Sequence, residues 1–232
     1  HADVANDIEA WRTARLTKAP PKIAMSAYRQ ALRGETVTGI EVVEGVKAAK
    51  GYGIKVYDLP IEALWKAVID EPHFAGRLPV SVSRVVKGDA RTHDHVLYQY
   101  LEVPIISDRW WMTHMYFNGD LYRSSGGRAW ELSWSDSTHD PGLRAQLDPS
   151  LFDEGEPVAW TTGAWLLVRL DDDRTLAEYH VWTDPGGSIP VGPATRFASG
   201  EVEDTLESMG TLAREHIPNC RGRFRRVDNE PM

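Results

Sequence analysis

Two groups of residues carry side chains that metal binding or catalysis could use. His93 and His95, on either side of Asp94, could bind a metal ion as a pair, but the sequence shows no third ligand near them. Residues 135–140 (Ser-Asp-Ser-Thr-His-Asp) contain every member of a hydrolase triad, yet no G-x-S-x-G nucleophile turn is present. Glycine-rich phosphate-binding motifs are also absent from the sequence. We therefore expect no metal, no cofactor and no catalytic residue.

A few acids and histidines could transfer protons if they faced an apolar pocket. Glu102 and Glu131 lie on predicted strands, where the simpler interpretation places both side chains in solvent. An enzyme would need a proton donor facing the cavity, and His114, His180 and Glu131 are the candidates. The catalytic hypothesis therefore depends on which face of its strand each of these residues occupies.

The tryptophans indicate a different kind of site. Seven of the nine lie between Trp110 and Trp182, on predicted strands. Alternation puts Trp111 and Met115 on one face of their strand and Trp110 on the other. Large aromatic side chains are ordinary core residues. On several neighbouring strands, however, they would also form rigid walls around an apolar ligand.

A glycine turn and a long amphipathic helix come late in the chain. Residues 184–190 read Asp-Pro-Gly-Gly-Ser-Ile-Pro, and 195–216 follow a helical period. Val202, Leu206 and Met209 fall on the apolar stripe of this helix, whereas Glu201 and Glu207 fall on the other side. The apolar stripe must pack on the preceding strands. The pattern predicts a sheet that grips a helix, with room for an apolar molecule between them.

The remaining pattern gives an α+β fold class. Helices are predicted at 3–16 and 24–33. A third helix is predicted to begin near Pro60, which suits a first helical turn, with Asp58 as its cap. Two strands are predicted at 36–46 and 51–57. Six more follow at 80–86, 95–103, 109–118, 127–136, 158–170 and 175–183, and 138–156 reads as a surface loop. Consecutive strands with short turns predict an antiparallel sheet.

Composition limits the range of partners. The 232 residues carry a net charge of −8, which argues against nucleic acid as a partner. Arg221, Arg223, Arg225 and Arg226 form a local exception. A solvated tail is the simpler interpretation of this cluster, and transient contact with an anionic membrane is the alternative. No segment approaches the length of a membrane span. We expect a monomer.

The compartment is not determined by cysteine usage, because the single Cys220 allows no internal disulfide. The sequence begins at His1 without Met, which fits either removal of a signal peptide or trimming. Between the two we favour an exported or periplasmic protein.

Two motifs and the closing helix resemble the START family of lipid-transfer domains, in the helix-grip superfamily. The first is the strand with Tyr98 that leads through Val103 to residues 107–111, Ser-Asp-Arg-Trp-Trp. The second is the Asp-Pro-Gly-Gly-x-x-Pro turn at 184–190. The resemblance covers about 36–218. It implies a START-like domain at 36–218, an N-terminal helical extension at 1–35 and a basic C-terminal tail at 219–232.

The resemblance implies a curved antiparallel sheet around the C-terminal helix, with one lipid in the tunnel between them. The implied function is non-enzymatic transfer or sensing of a sterol, hopanoid, carotenoid or phospholipid. The alternative is a helix-grip enzyme of the cyclase, hydrolase or dehydratase type, because a fold does not determine a function. The predicted ligand contacts are Tyr98, Gln99, Trp111, Met115, Trp130, Trp134, Tyr179, Phe197, Val202, Leu206 and Met209.

Overall fold

The computed structural model describes residues 2–103, 107–187, 201–216 and 224–232. Its strands are β1 (Val37–Glu41), β2 (Lys50–Tyr57), β3 (Val82–Lys87), β4 (His95–Leu101), β5 (Arg109–Phe117), β6 (Ala129–Asp136), β7 (Glu156–Pro157), β8 (Trp160–Arg169) and β9 (Thr175–Asp184). Its helices are α1 (Ala2–Trp11), α2 (Met25–Ala31), α3 (Ile61–Val68), α4 (Gly119–Ser124), α5 (Pro141–Arg144) and α6 (Val202–His216).

The strands form one sheet in the order β1-β2-β9-β8-β6-β5-β4-β3. Neighbours in this order are antiparallel, and the short β7 pairs in parallel with β5. The predicted α+β class, with a curved antiparallel sheet, a C-terminal helix and extra N-terminal helices, is confirmed. The eight predicted strands are present, and seven of them have ends within two residues of the prediction. The first, predicted at 36–46, is shorter and ends at Glu41.

The sheet is covered on both faces. We call the face that carries α3 and α6 the inner face and the opposite one the outer face. The inner core includes Trp65 of α3, Leu132 and Trp165 of the sheet, and Leu206 and Met209 of α6. Because successive side chains alternate, the residues between them form separate cores on the outer face.

The N-terminal helices pack on the outer face, where Ile8 and Tyr28 contact the core around Ile54, Leu166 and Leu176. The strands are therefore buried on both sides in this part of the sheet. The 141–152 segment covers a second patch on the outer face with Leu143 and Phe152. The loop predicted at 138–156 thus contains a short helix and contributes to the core.

The C-terminal helix lies against β2 at a glycine. A Cβ added at Gly53 would lie 2.6 Å from Leu206 Cδ1 and 2.7 Å from Val202 Cγ1, so only glycine permits this approach. The Tyr57 hydroxyl donates to the Leu206 carbonyl at 2.7 Å. Val202, Leu206 and Met209 are buried, as the helical period predicts.

The two motifs that resemble START domains contact each other. Gly186 and Gly187 have φ angles of 72° and 64°, which a side chain would strain. The Asp184 side chain accepts from the Gly186 N–H at 2.9 Å, and Arg109 Nε donates to the Pro185 carbonyl at 2.8 Å. The arginine that opens β5 therefore stabilises the turn that ends β9.

Three local predictions are wrong. Helix α3 begins after Pro60 without a side-chain cap, so Asp58 does not cap it. The connection between β5 and β6 is not the short turn expected between consecutive strands but contains α4, whose start is capped by the Asn118 side chain accepting from the Leu121 N–H at 3.0 Å. Residues 224–232 are not a solvated tail, since Phe224 is fully buried.

The end of the chain is held to the core by a further contact. The Trp65 indole donates to the Arg225 carbonyl at 2.9 Å. Arg221 and Arg223 lie outside the described residues, as does 188–190 of the glycine turn. Within the described ranges, no helix has the length and apolarity to cross a membrane.

Candidate functional site

A cavity of about 130 Å³ lies between the inner face and the start of α6. Most of its wall is apolar or aromatic. The wall is formed by β4, β5, β6, β8 and β9, by the end of α3 with the segment that follows it, and by the first turn of α6. Its apolar and aromatic members are Val68, Phe74, Leu78, Pro79, Val80, Leu97, Leu101, Trp111, Met115, Leu132, Trp134, Trp165, Tyr179, Val181 and Val202.

The strand register divides the sheet side of the cavity wall into rows. Thr161 and Thr183 are cross-strand partners near one end. The next inward-facing row contains Met115 and Trp134, which are partners across β5 and β6. A deeper row contains Leu132, Trp165 and Tyr179, aligned across β6, β8 and β9. The two threonines thus lie at one end, and Tyr179 adds a hydroxyl to the otherwise apolar deeper row.

Most wall side chains with an amide or hydroxyl group are already paired. The Trp111 indole donates to Gln99 Oε1 at 3.0 Å, and Gln99 Nε2 donates to Ser83 Oγ at 3.4 Å. The hydroxyls of Thr161 and Thr183 lie 2.7 Å apart. These pairs satisfy buried polar groups without a ligand.

Glu201, Tyr179 and Thr205 differ from those pairs. Across the described part of the chain, their side chains make no hydrogen bond or ion pair. Burial, and then the nearby charge of Asp204, raises the pKa of Glu201 to about 7. Burial, and then the Glu201 charge, also raises the pKa of Tyr179. The two side chains thus influence each other electrostatically.

Six of the predicted ligand contacts lie in the wall: Gln99, Trp111, Met115, Trp134, Tyr179 and Val202. Trp130, Leu206 and Met209 belong to the same inner core but lie outside the cavity wall. Phe197 lies outside the described residues. Contact of these side chains with a ligand stays a prediction.

Tyr98 is misplaced by the prediction. Its ring stacks on Trp110 in the outer core, and its hydroxyl donates to the Leu151 carbonyl at 2.7 Å. Tyr98 and Gln99 are consecutive on β4, so they cannot share a face. Since Gln99 faces the cavity, Tyr98 must face away.

Trp130 packs in the core between the sheet and α3 and does not line the cavity. Its ring lies edge-on to Trp65 with centroids 5.6 Å apart, and its indole donates to the Gly127 carbonyl at 2.9 Å. An aromatic ring packed edge-on in this manner contributes to the core between the sheet and α3.

Glu131 and His180 lie on the outer face, under the N-terminal segment. Arg15 Nε donates to Glu131 Oε1 at 2.5 Å, and Arg15 Nη1 donates to Glu178 Oε1 at 3.0 Å. The Leu16 N–H adds a bond of 2.9 Å to Glu131. The prediction of a solvent-side Glu131 is wrong, because the sheet has a second covered face.

Electrostatics fix the charges in this outer cluster. Burial alone would raise the pKa of Glu178, but Arg15, His180 and Tyr28 outweigh it and hold the pKa well below its usual range. Burial lowers the pKa of His180, which favours a neutral ring. The cluster therefore couples a buried arginine to two buried carboxylates, away from the cavity.

The third candidate donor, His114, also faces outward. Its ring pairs with Asp94 and accepts from or donates to the Tyr116 hydroxyl at 2.6 Å. None of the three histidine and glutamate donors named from the sequence reaches the cavity. The catalytic hypothesis loses those residues.

The residues of the possible metal site and of the possible hydrolase triad do not come together as a site. His93 Nδ1 accepts from the Phe117 N–H at 3.0 Å, whereas His95 Nε2 lies 3.1 Å from a Glu71 carboxylate oxygen. Among the described residues, no group of three or more metal-binding side chains is arranged to hold an ion. In the 135–140 turn, His139 bonds to the Val158 carbonyl at 2.8 Å instead of a serine.

The sequence reasoning missed Glu201 as a wall residue. The helical period assigns it to the solvent side of the helix, together with the acidic residues Glu203 and Asp204. The sequence does contain a signal for its position. Glu201 is adjacent to Val202 of the apolar stripe and shares a helix face with Thr205, four residues later.

Comparison with known proteins adds evidence on the fold. No family model and no curated protein matches the sequence of this chain. A solved structure of a STAR-related lipid transfer protein from Xanthomonas axonopodis is similar, with 21% identity and a TM-score of 0.61. The match covers 77% of this chain and 93% of that chain.

Two further solved structures span a wider range of proteins. Human StAR-related lipid transfer protein 5 is 12% identical with a TM-score of 0.59, and 92% of this chain and 96% of that chain are covered. An aromatase/cyclase from a Streptomyces species is 12% identical with a TM-score of 0.50, covering 80% and 98% of the two chains. Together with the sheet order and the C-terminal helix, these similarities establish that the chain has the helix-grip fold of START domains.

Proposed function

We propose that the chain binds one apolar, lipid-like molecule in the inner cavity and carries or senses it without chemical change. The observation that carries this proposal is the mainly apolar cavity between the sheet and α6. Apolar walls with a few placed polar groups are typical of small-molecule sites. Two proteins with a similar fold are named for lipid transfer, which supports the same class of ligand.

The size of the cavity constrains how a lipid would enter. Its volume of about 130 Å³ is close to the roughly 150 Å³ cavity that admits a benzene-sized molecule. Sites for larger ligands occupy roughly 300–1,000 Å³. A sterol, hopanoid, carotenoid or phospholipid would therefore require the walls to separate. We infer that the start of α6 moves, because it closes the cavity opposite the sheet.

Burial of apolar surface would supply the binding energy, at roughly 25 cal/mol per Å². The aromatic walls suit this role because they are rigid. The rings of Trp165 and Tyr179 lie 4.5 Å apart, and those of Trp134 and Tyr179 lie 6.1 Å apart. Packing among these rings preserves the cavity shape before a ligand arrives.

An enzymatic function is the second candidate, supported by the fold that this chain shares with an aromatase/cyclase. Among the described wall residues no histidine is present, and Glu201 is the one carboxyl group. Within this described part of the wall, Glu201 is therefore the carboxyl group that such an enzyme could use as its acid or base. Turnover of a hydrophobic substrate that is lost in Glu201→Gln would establish this alternative.

The proposal is tested by titrating the purified chain with sterols, hopanoids, carotenoids and phospholipids while tryptophan emission is recorded. Neighbouring tryptophans supply matched variants, because Trp111 faces the cavity and Trp110 faces the outer core. We expect a saturable change for at least one lipid class. That change should shrink in Trp111→Phe and persist in Trp110→Phe. If no lipid binds, or if the two variants respond equally, the proposed site is wrong.

Other expected properties remain part of the proposal. We infer a monomer with domains at 1–35, 36–218 and 219–232, and transient membrane contact during lipid exchange. Deleting the C-terminal segment would remove the buried Phe224 and confound a membrane experiment. The sharper test neutralises Arg221 and Arg223. Salt-sensitive liposome binding that survives this change would exclude these two arginines as the contact.

A further inference from the structure

Three polar side chains of the cavity lie around the start of α6. Glu201 directly precedes the helix, and Thr205 follows one turn later, with its N–H donating to the Glu201 carbonyl at 2.9 Å. The same turn rests on Gly53, which pairs across β2 and β9 with Tyr179. All three side chains line the cavity. We call this group the head-group site.

The head-group site is unpaired where the rest of the wall is paired. Gln99, Thr113, Thr161 and Thr183 each have a side-chain hydrogen-bond partner. In the described ranges, the carboxyl of Glu201 and the hydroxyls of Tyr179 and Thr205 have none. Thr205 is buried, whereas Glu201 and Tyr179 are half-buried, and the polar atoms of all three remain accessible from the cavity. A polar group that faces a mainly apolar cavity gains a partner when a ligand brings a matching polar group. Three such groups around the same cavity indicate the position of a ligand's polar group.

The chemistry of the site selects among polar groups. No lysine, arginine or histidine is among the described wall residues, so a phosphate or carboxylate would be buried without a cationic partner. Glu201 and nearby Asp204 would also repel an anion. A carboxyl and two hydroxyls together can accept from a hydroxyl and donate to it. Burial favours the uncharged form of Glu201, which suits a neutral polar group better than a cation.

We propose that Glu201, with Tyr179 and Thr205, determines ligand specificity by hydrogen-bonding a hydroxyl group at the end of an otherwise apolar molecule. This inference rests on the proposed binding function and narrows it. Within the classes considered, it favours hydroxylated ligands such as sterols over phospholipids. The hydroxyl would lie at the start of α6 beside Tyr179, and the apolar body would extend toward the neighbouring row with Met115 and Trp134.

The test uses three probes of equal chain length: decanol, methyl decyl ether and decylamine. The ether retains an oxygen but lacks the donor. We expect the wild type to bind decanol about two- to tenfold more tightly than the ether, the range that one net hydrogen bond supplies. The preference should fall toward unity in Glu201→Ala and weaken in Tyr179→Phe. It should persist in Glu203→Ala, whose side chain is exposed on the same turn.

Each result decides between the proposals. Equal binding of decanol and the ether by the wild type would overturn the head-group site while leaving cavity binding intact. A preference for decylamine that Glu201→Ala abolishes would also overturn it, in favour of a cationic ligand. If no probe and no lipid binds, the proposed function itself fails and this inference with it. Circular dichroism and thermal unfolding confirm that the variants are folded, and the ether reports whether their cavities remain intact.

Discussion

Replacing Gly53 by alanine tests how closely the C-terminal helix approaches the sheet. The new Cβ would lie 2.6 Å from Leu206 and 2.7 Å from Val202, whereas ordinary contact begins at 3.4 Å. The shortfall is 3.4 − 2.6 = 0.8 Å for Leu206 and 3.4 − 2.7 = 0.7 Å for Val202. The Leu206 side chain can rotate, but the β-branched Val202 is stiff. The helix must therefore shift.

Overpacking of this size costs about 1–3 kcal/mol. The lower entropy of an unfolded chain with alanine returns about 0.4–1 kcal/mol. The difference spans about 0–2.6 kcal/mol. Because both new contacts would be shorter than 3.0 Å, we expect a net loss of about 1–2 kcal/mol in the free energy of unfolding for Gly53→Ala. For a chain of this length, that corresponds to a decrease in Tm of about 2–8 °C.

Thermal unfolding followed by circular dichroism measures this loss. Gly142→Ala is the control, because its new Cβ would meet only the Asp140 side chain, at 3.3 Å. Adding Val202→Ala to Gly53→Ala removes the stiff contact, so the two changes should be coupled and less destabilising than their sum. An unchanged Tm in Gly53→Ala, or strict additivity in the double variant, would refute the close approach of α6 to β2.

Three further predictions concern the helix, the cavity acid and the outer face. Leu206→Asp should abolish lipid binding and lower Tm far more than Glu207→Ala, because only Leu206 is buried; equal effects in a titration would contradict the helix orientation. Glu201 has a folded pKa of about 7 against an ordinary 4.5, so its contribution to stability is present below pH 4.5 and is lost as pH rises to about 7. The wild-type Tm should fall over this pH range, and the fall should be absent in Glu201→Gln. Identical profiles of Tm against pH for the two proteins would contradict burial of the carboxyl. Arg15→Ala leaves two buried carboxylates without their cation and should cost about 3–5 kcal/mol in denaturant unfolding, whereas a loss below about 1 kcal/mol would contradict the pairing.

Strand positions could be predicted from the sequence because alternation and turn residues are local signals. The Asp-Pro-Gly-Gly turn and the arginine that opens β5 could be recognised separately. The hydrogen bond between Arg109 and the Pro185 carbonyl could not be predicted. The two residues are 76 positions apart, so their contact depends on the whole fold.

Alternation predicts which face of a strand each side chain occupies, but it does not predict which elements pack on that face. Alternation correctly separates Trp111 from Trp110. It does not reveal that the N-terminal helices cover the outer face, so Glu131 was placed in solvent although Arg15 pairs with it in the interior. A charged residue on a strand indicates solvent only when no other charge can reach it.

The residues that line the cavity could be predicted from the sequence only in part. The apolar stripe of α6 identifies Val202, but the position of the helix along the sheet decides which residues border empty space. Leu206 packs against Gly53 and the inner core, while Glu201 reaches the cavity from the turn before the helix. Sequence periodicity predicts burial, and it does not distinguish core packing from a ligand contact.

Native mass spectrometry of the purified chain, followed by solvent extraction and identification of bound small molecules, tests the central claim most directly. We predict one apolar molecule per chain, bearing a hydroxyl group, whose mass shift is lost in Leu206→Asp and retained in Glu207→Ala. A chain that carries no such molecule, and that gains none after incubation with sterols, hopanoids, carotenoids and phospholipids, would contradict binding in the inner cavity.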